Sequence, residues 1–572
     1  MSAQGVFTFV LHSHLPYARL AGRWPHGEEW IHEAASETYV PLLEVLYDLR
    51  EAAVPYKLTL GVTPVLCEQL ADATVQEHFE EYLRDKIAAA ERDMDYYAPS
   101  SQHGEQEPHL HELARWYRDF YLKVQQAFVE RFNRDILAAL RVLQDEGHIE
   151  IFTSAATHAY LPLLSRDSAL EAQIRAGVAS YERYFGRKPR GFWLPECAYR
   201  PAYHQDDGLM RPGLEAFIAR HDLKYFFSET HAITGGSPVG VAAGDVIGPY
   251  GEVKRRYVIP ANTQEIPRRA ATTYAAYYVS DSASGAEAQE HSGVAVLGRN
   301  NNTGQQVWSA EWGYPGDFDY REFHKKAGTS GLQYWRVTGA KVDLSHKDYY
   351  HPDWAFCKVE QHAEHFAHLV GDLLRDYHNH TGRPGIVCSN YDAELFGHWW
   401  FEGVRWLGEV LNHIASDPNV DMMTISEYLE AFPPEEVLHL PEGSWGVGGN
   451  HFTWDNGENH WMWPPLHDCE LRMEQLAQQY QSPSEAERVV LNQAARELML
   501  AQSSDWPFLV TTGQAREYAI QRYSQHIERF KRLAESVEQG QPDVGYAEEM
   551  WQLDKIFSDL DYTWFRSVVA EE

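Results

Sequence analysis

Short apolar runs alternate along this chain with longer stretches whose apolar positions recur every three to four residues. The runs lie at Val6–Leu11, Tyr56–Leu60, Ile149–Thr153, Gly191–Leu194, Tyr225–Phe227, Val294–Leu297, Gly385–Cys388 and Val420–Thr424. Each has the length of a strand, and a mostly apolar strand is one buried on both faces. Residues 36–53 and 360–380 carry apolar side chains at a spacing near 3.6, the signature of an amphipathic helix. Strands alternating with helices predict a parallel sheet with right-handed crossovers. About seven such units predict an α/β barrel more than an open sheet.

Two regions break the alternation. Residues 76–133 hold three long polar or amphipathic stretches, read as helices, between the second and third strands. They predict an inserted helical subdomain. At Pro433-Pro434 a helix ends, a Gly/Trp-rich loop follows, and helical periodicity returns at 465–481, 483–503 and 512–539. The expected division is a catalytic barrel from 1–75 and 134–432, an insert at 76–133 and a C-terminal helical domain at 433–572. Residues 229–256 are rich in Gly and Pro without a period, and a loop of that length in a compact domain is usually functional. Residues 270–293 carry no recognisable motif.

Charge narrows the function. Lys plus Arg total 49 against 83 Asp plus Glu, a net −34. That balance disfavours nucleic acid, whose binding draws on cationic side chains, and also an anionic membrane surface. The N-terminus has no basic signal-peptide region, and no apolar run reaches the roughly 18 residues of a membrane span. A cytoplasmic protein is expected. Five dispersed cysteines with no CxxC pair argue against a disulfide framework or a zinc–thiolate site. No GxGxxG or GxxxxGK[ST] follows a strand, so a nucleotide cofactor has no support. The 18 Trp, 33 Tyr and 24 Phe change the picture most, since aromatic faces stack on flat apolar surfaces such as the C–H face of a sugar.

Two carboxylates stand at strand ends. The run Gly191-Phe-Trp-Leu-Pro leads straight into Glu196, and Gly385-Ile-Val-Cys-Ser-Asn-Tyr leads into Asp392. In a parallel barrel, side chains just past a strand's C-terminal end face the active site. Each carboxylate alone reads equally well as a helix cap. Together they match what glycosidic bond cleavage requires, two carboxyl groups flanking the anomeric carbon. His12 and His14 end the first strand on one side of the chain. That HxH pair fits metal ligation, hydrogen bonding to sugar hydroxyls, or packing.

Five segments then occur in order: HSHLPY at 12–17, ATHAYLP at 156–162, WLPECAY at 193–199, YDAELFGHWWFEG at 391–403 and ISEYL at 425–429. They resemble the five ordered sequence regions of glycoside hydrolase family 57. GRWPHGEEW at 22–30, GYPGD at 313–317, GSWG at 443–446 and SSDWPF at 503–508 further resemble the 1,4-α-glucan branching enzymes of that family. The resemblance implies a distorted (β/α)7 barrel with an inserted helical subdomain and a C-terminal helical domain, and no metal or other cofactor. It implies Glu196 as nucleophile and Asp392 as acid/base. It implies glucan contacts from Arg299, Gly316, Trp445 and Asp505, aromatic contacts from Trp30, Trp308 and Trp454, and a covering loop tipped by Tyr250. His12, His14, His158 and His398 are the accompanying candidates for sugar hydroxyls. The expected partner is an α-glucan, with no nucleic acid or membrane, and the expected state a monomer or weak homo-oligomer. A sibling α-amylase or 4-α-glucanotransferase activity, and a metal-dependent polysaccharide deacetylase, are the alternatives.

Overall fold

The computed structural model describes residues 4–101, 104, 106–205, 208–238, 247–248, 251–252, 263, 265–284, 290–308 and 313–567. Seven strands form its parallel sheet: β1 (Gly5–Ser13), β2 (Leu58–Val62), β3 (Ile149–Ser154), β4 (Gly191–Trp193), β5 (Tyr225–Ser228), β6 (His291–Gly298) and β7 (Gly385–Asp392). They pair in the order β7-β1-β2-β3-β4-β5-β6. Every neighbouring pair is parallel, so all seven C-terminal ends open on one rim. No ladder joins β6 to β7 among the described residues. A backbone hydrogen bond from Asn300 N–H to the Cys388 carbonyl, 3.0 Å, links the two sides just past β6. The barrel is therefore distorted.

The eighth apolar run forms only the short strand Val420–Met422, paired with the first three residues of β1. β2 takes over that side of β1 from Val10 onward, which leaves no room for a longer strand. Within the motif-free stretch 270–293 lies Ala276–Ser280, antiparallel to β6. Its run, Ala276-Tyr-Tyr-Val-Ser280, is only five residues long and carries no motif that marks it as a strand.

The helix at 36–53 begins earlier than its periodicity suggested, at Glu29, and passes through a widened turn at Ala35–Tyr39 into Val40–Glu51. The helix at 360–380 extends back to Pro352 and ends at Gly382, which takes φ 71° to close the last turn. Where three helices were expected at 76–133, two long ones form, Ala73–Tyr97 and Pro108–Gln126. The third stretch continues the second helix through the wide turn Ala127–Arg131. The C-terminal helices occupy Trp463–Gln479, Glu485–Ala501, Asp505–Thr512, Arg516–Glu538 and Val544–Leu553. Ser484 and Glu487 start the second of these with a reciprocal capping box.

Three apolar cores hold these layers, one of them inside the barrel around Val10, Phe152, Trp193 and Phe227. Phe7, Phe9 and Leu11 of β1 pack with Phe366, Trp406 and, from the inserted helices, Phe79. Phe192 and Phe226 of β4 and β5 share a second core with Met473, Leu498, Trp506 and Phe530 of the C-terminal helices. At roughly 1.5–3 kcal/mol for each fully buried large apolar side chain, the second core fixes the C-terminal helices against the barrel. No described helix is long and apolar enough to cross a membrane.

Candidate active site

Glu196 is set by the turn that ends β4. Pro195 opens a tight turn, and Glu196 and Cys197 take left-handed φ values of 64° and 47°. Such a conformation costs a non-glycine residue of order 1–3 kcal/mol and persists only where the surroundings hold it. Here they do: the Trp445 backbone N–H donates to the Glu196 carbonyl at 3.1 Å. The Trp445 indole N–H donates to Glu196 Oε2 at 2.7 Å. The Ser504 hydroxyl donates to Glu196 Oε1 at 3.0 Å.

Behind Glu196 stands a stack of three imidazoles. His14 lies on His158 with ring centroids 3.8 Å apart, and His12 lies on Trp193 at 4.5 Å. His158 Nδ1 is 2.9 Å from Ser504 Oγ, and His158 Nε2 is 3.1 Å from His12 Nε2. Since Ser504 spends its proton on Glu196, His158 donates through Nδ1 and accepts from His12 through Nε2. The donors run from His12 through His158 and Ser504 to the carboxylate. His14 bonds Thr63 Oγ1 and Asp505 Oδ1, each at 3.0 Å. Burial and the neighbouring His14 hold His12 well below the ordinary imidazole range, and the same two influences hold His158 down. Burial also works to lower His14, but Asp505 outweighs it and the pKa is raised. Of the three rings, His14 is the one whose surroundings favour the charged form.

Asp392 ends β7 directly across from His12 in the parallel ladder. Burial pushes its carboxyl well above the usual range, the negative charges of Glu394 and Glu196 add to this, and Arg299 opposes it. Burial likewise raises Glu196, to about 7, against the donors Trp445 and Ser504. The two carboxyls therefore sense each other's charge on one rim but are dressed differently. Glu196 accepts two hydrogen bonds that favour ionisation. Asp392 feels the negative charge of Glu394 and Glu196, which favours its protonated form.

The remaining candidates divide. Asp505, ordered by Ser503 Oγ at 2.6 Å, joins the His14 side of the site. Arg299 follows β6 and pairs with the buried Glu229 at 2.6 Å. Trp445 is half-buried beside Trp193, and Trp308, also half-buried, lies 6.5 Å from Tyr391 between ring centroids. Gly316 ends a tight turn at Tyr314–Gly316. Trp30 and Trp454 are only 2% and 1% exposed, the former edge-on to Tyr518 and the latter stacked on Tyr160. His398 faces Glu33, Glu37 and Phe323 in a buried network organised by Arg321, which grips Glu37 with two bonds of 3.1 and 3.0 Å. Gly397 beside it takes φ 99°, and a side chain there would collide with the Glu37 carbonyl, which accounts for the glycine in ELFGHWW. Tyr250 lies outside the described residues.

Sequence reasoning missed Ser504, Glu394, Tyr39 and Glu229. Ser504 and Glu394 adjoin residues already singled out, within SSDWPF and YDAEL, so their motifs held the signal. Tyr39 and Glu229 are helix and helix-start positions with no distinguishing local pattern. For a metal, both ring nitrogens of His14 and of His158 are spent on hydrogen bonds. Among the described residues, the side chains spaced as metal ligands are Glu497, His526 and Asp554 in the C-terminal helices. Arg529 and Arg522 already pair with Asp554 there, and this charge balance disfavours a cation.

A family model, "Glycosyl hydrolase family 57", matches residues 8–441, and "1,4-alpha-glucan branching enzyme, C-terminal" matches residues 465–565. The chain is 44% identical to the 1,4-alpha-glucan branching enzyme TK1436 of Thermococcus kodakarensis, over 97% of this chain and 77% of that protein. The crystal structure of TK1436 superposes with a TM-score of 0.86 at 43% identity, covering 99% of this chain and 97% of that one. A family 57-type branching enzyme from Pyrococcus horikoshii gives 0.84 at 41% identity, with 100% and 98% covered. The alpha-amylase AmyC of Thermotoga maritima gives 0.80 at 30% identity, with 99% and 100% covered. By sequence over most of its length and by fold throughout, this chain belongs to glycoside hydrolase family 57.

Proposed function

We propose that the chain is a 1,4-α-glucan branching enzyme. It cleaves an α-1,4-glucan by a retaining double displacement and transfers the freed chain to a 6-hydroxyl, forming an α-1,6 branch. Glu196 attacks the anomeric carbon while Asp392 gives its proton to the departing chain. Asp392 then takes the proton of the incoming hydroxyl, which displaces Glu196. The observation that carries this reading is the contrast between the two carboxyls, one held by Trp445 and Ser504, the other crowded by negative charge.

Keeping water from acting as acceptor is the remaining physical problem. Trp445 and Trp308 offer half-exposed rings for glucan, with Arg299, Gly316, Asp505 and the histidines as polar contacts. Trp30, Trp454 and His398 act from behind these. Glycogen synthesis in the cytoplasm, by a monomer or weak homo-oligomer, is the setting this activity fits.

The likeness to AmyC favours one rival, plain hydrolysis of the same bond. Incubating amylose with purified protein and counting α-1,6 linkages by NMR decides between them. New α-1,6 signals that vanish in Glu196→Gln support branching; reducing ends without branches would establish an amylase.

A further inference from the structure

Three carboxyls share the buried rim: Glu196, Asp392 and Glu394. Glu394 lies two residues past Asp392 in the tight turn Ala393–Leu395 and is 6% exposed. The His14 backbone N–H donates to its Oε1 at 3.1 Å, and the Tyr39 hydroxyl donates to the same oxygen. Of its neighbours, Tyr39 and His14 thus favour the charged form. The groups that Asp392 senses are Glu394, Glu196 and Arg299, and the buried Cys197 thiol nearby stays neutral.

Resting on the acid/base role proposed above for Asp392, we infer that Glu394 is a positioning residue for the proton donor. Its carboxylate, held by Tyr39 and the His14 N–H in the turn that Asp392 opens, makes loss of the Asp392 proton unfavourable. Three carboxyls crowded into a water-poor site cannot all ionise cheaply, and the two with built-in donors ionise first. Burial raises Glu394 itself to about 7, so its charge develops as the pH rises through neutrality. Below neutrality Asp392 keeps its proton unaided. The effect of Glu394 is therefore to extend activity towards higher pH.

The sign is fixed. Removing a negative neighbour lets Asp392 lose its proton at lower pH, so fewer molecules hold the acid form in alkaline buffer. In Glu394→Gln, which keeps the acceptor oxygen but not the charge, the alkaline limb of kcat/KM on amylose moves down by about one pH unit or more. The acidic limb moves less. Tyr39→Phe, which keeps the carboxyl but removes a donor, moves the alkaline limb the same way by a smaller amount. With α-maltosyl fluoride as donor, whose leaving group needs no proton, the glycosylation rate of Glu394→Gln shows no such limb.

Thermal unfolding first establishes that each variant is folded. Should Glu394→Gln not fold, Tyr39→Phe carries the test. An unmoved alkaline limb in a folded variant overturns the inference. The companion variant Asp392→Asn separates it from the underlying mechanism. If fluoride rescues Asp392→Asn but the limb of Glu394→Gln stays put, only the inference fails. If fluoride does not rescue Asp392→Asn, the acid/base role fails and takes the inference with it.

Discussion

Trp445 reaches Glu196 across 249 residues of chain to place its indole N–H 2.7 Å from Oε2. The same tryptophan fixes the Glu196 carbonyl through its backbone, so one residue holds both ends of the proposed nucleophile. A hydrogen bond to a charged group contributes about 1.5–3 kcal/mol. Trp445→Phe keeps the ring and loses the donor. Its kcat/KM on amylose falls by roughly 10- to 100-fold, and its acidic limb moves to higher pH, as a pH–rate profile will show.

Replacing Asp392 with Asn removes proton transfer but leaves the shape of the site. Turnover falls by about 10²–10⁴-fold, the usual contribution of general acid–base catalysis. Glucan binding, followed by calorimetry, stays near that of the parent.

Burial pushes Glu196 up to about 7, so in its proposed role as nucleophile it is increasingly protonated as the pH drops through that value. The acidic limb of kcat/KM therefore lies near 7. Stability runs the opposite way. A folded-state pKa raised from 4.5 to about 7 means the native protein binds this proton more tightly than the unfolded chain. The stability it contributes is present at low pH and is lost as the pH rises towards 7. Glu196→Gln, inactive, should be more stable than the parent at pH 8 by about 1–3 kcal/mol in denaturant unfolding.

The buried pair of Arg321 and Glu37 makes a different demand. Their side chains are 1% and 6% exposed and meet in two parallel bonds, with the Phe401 ring under the guanidinium at 4.0 Å. Arg321→Ala leaves the Glu37 charge stranded beside His398 and costs about 3–5 kcal/mol, measurable as a lower Tm.

Chelation leaves the enzyme active. His14 and His158 have no ring nitrogen to spare for a cation, so overnight dialysis against EDTA is expected to leave the branching rate unchanged.

The strands of the barrel were legible because each is an apolar run of the right length, and the two candidate carboxyls because each follows such a run directly. Glu196 stands after Phe192-Trp193-Leu194-Pro195, and Asp392 after the β7 run. What could not be read was company kept across long sequence distances. Ser504 lies 308 residues from the carboxylate it serves, and no local pattern announces such a contact. The strand Ala276–Ser280 went unread because it is only five residues long, and its order comes from partners on both sides, β6 and Val437–Leu438. The aromatic inventory suggested sugar-stacking faces, but burial decides which tryptophans can offer one. Trp454 resembles Trp445 in the sequence and differs from it in exposure, a property fixed by Tyr160 and the C-terminal helices.

Both donors to the nucleophile, Trp445 and Ser504, belong to the last quarter of the polypeptide. A chain emerging from the ribosome completes β4 and its glutamate long before either donor exists. Until those late segments dock, the carboxylate lacks its anchors, and a product truncated before them is expected to lack activity.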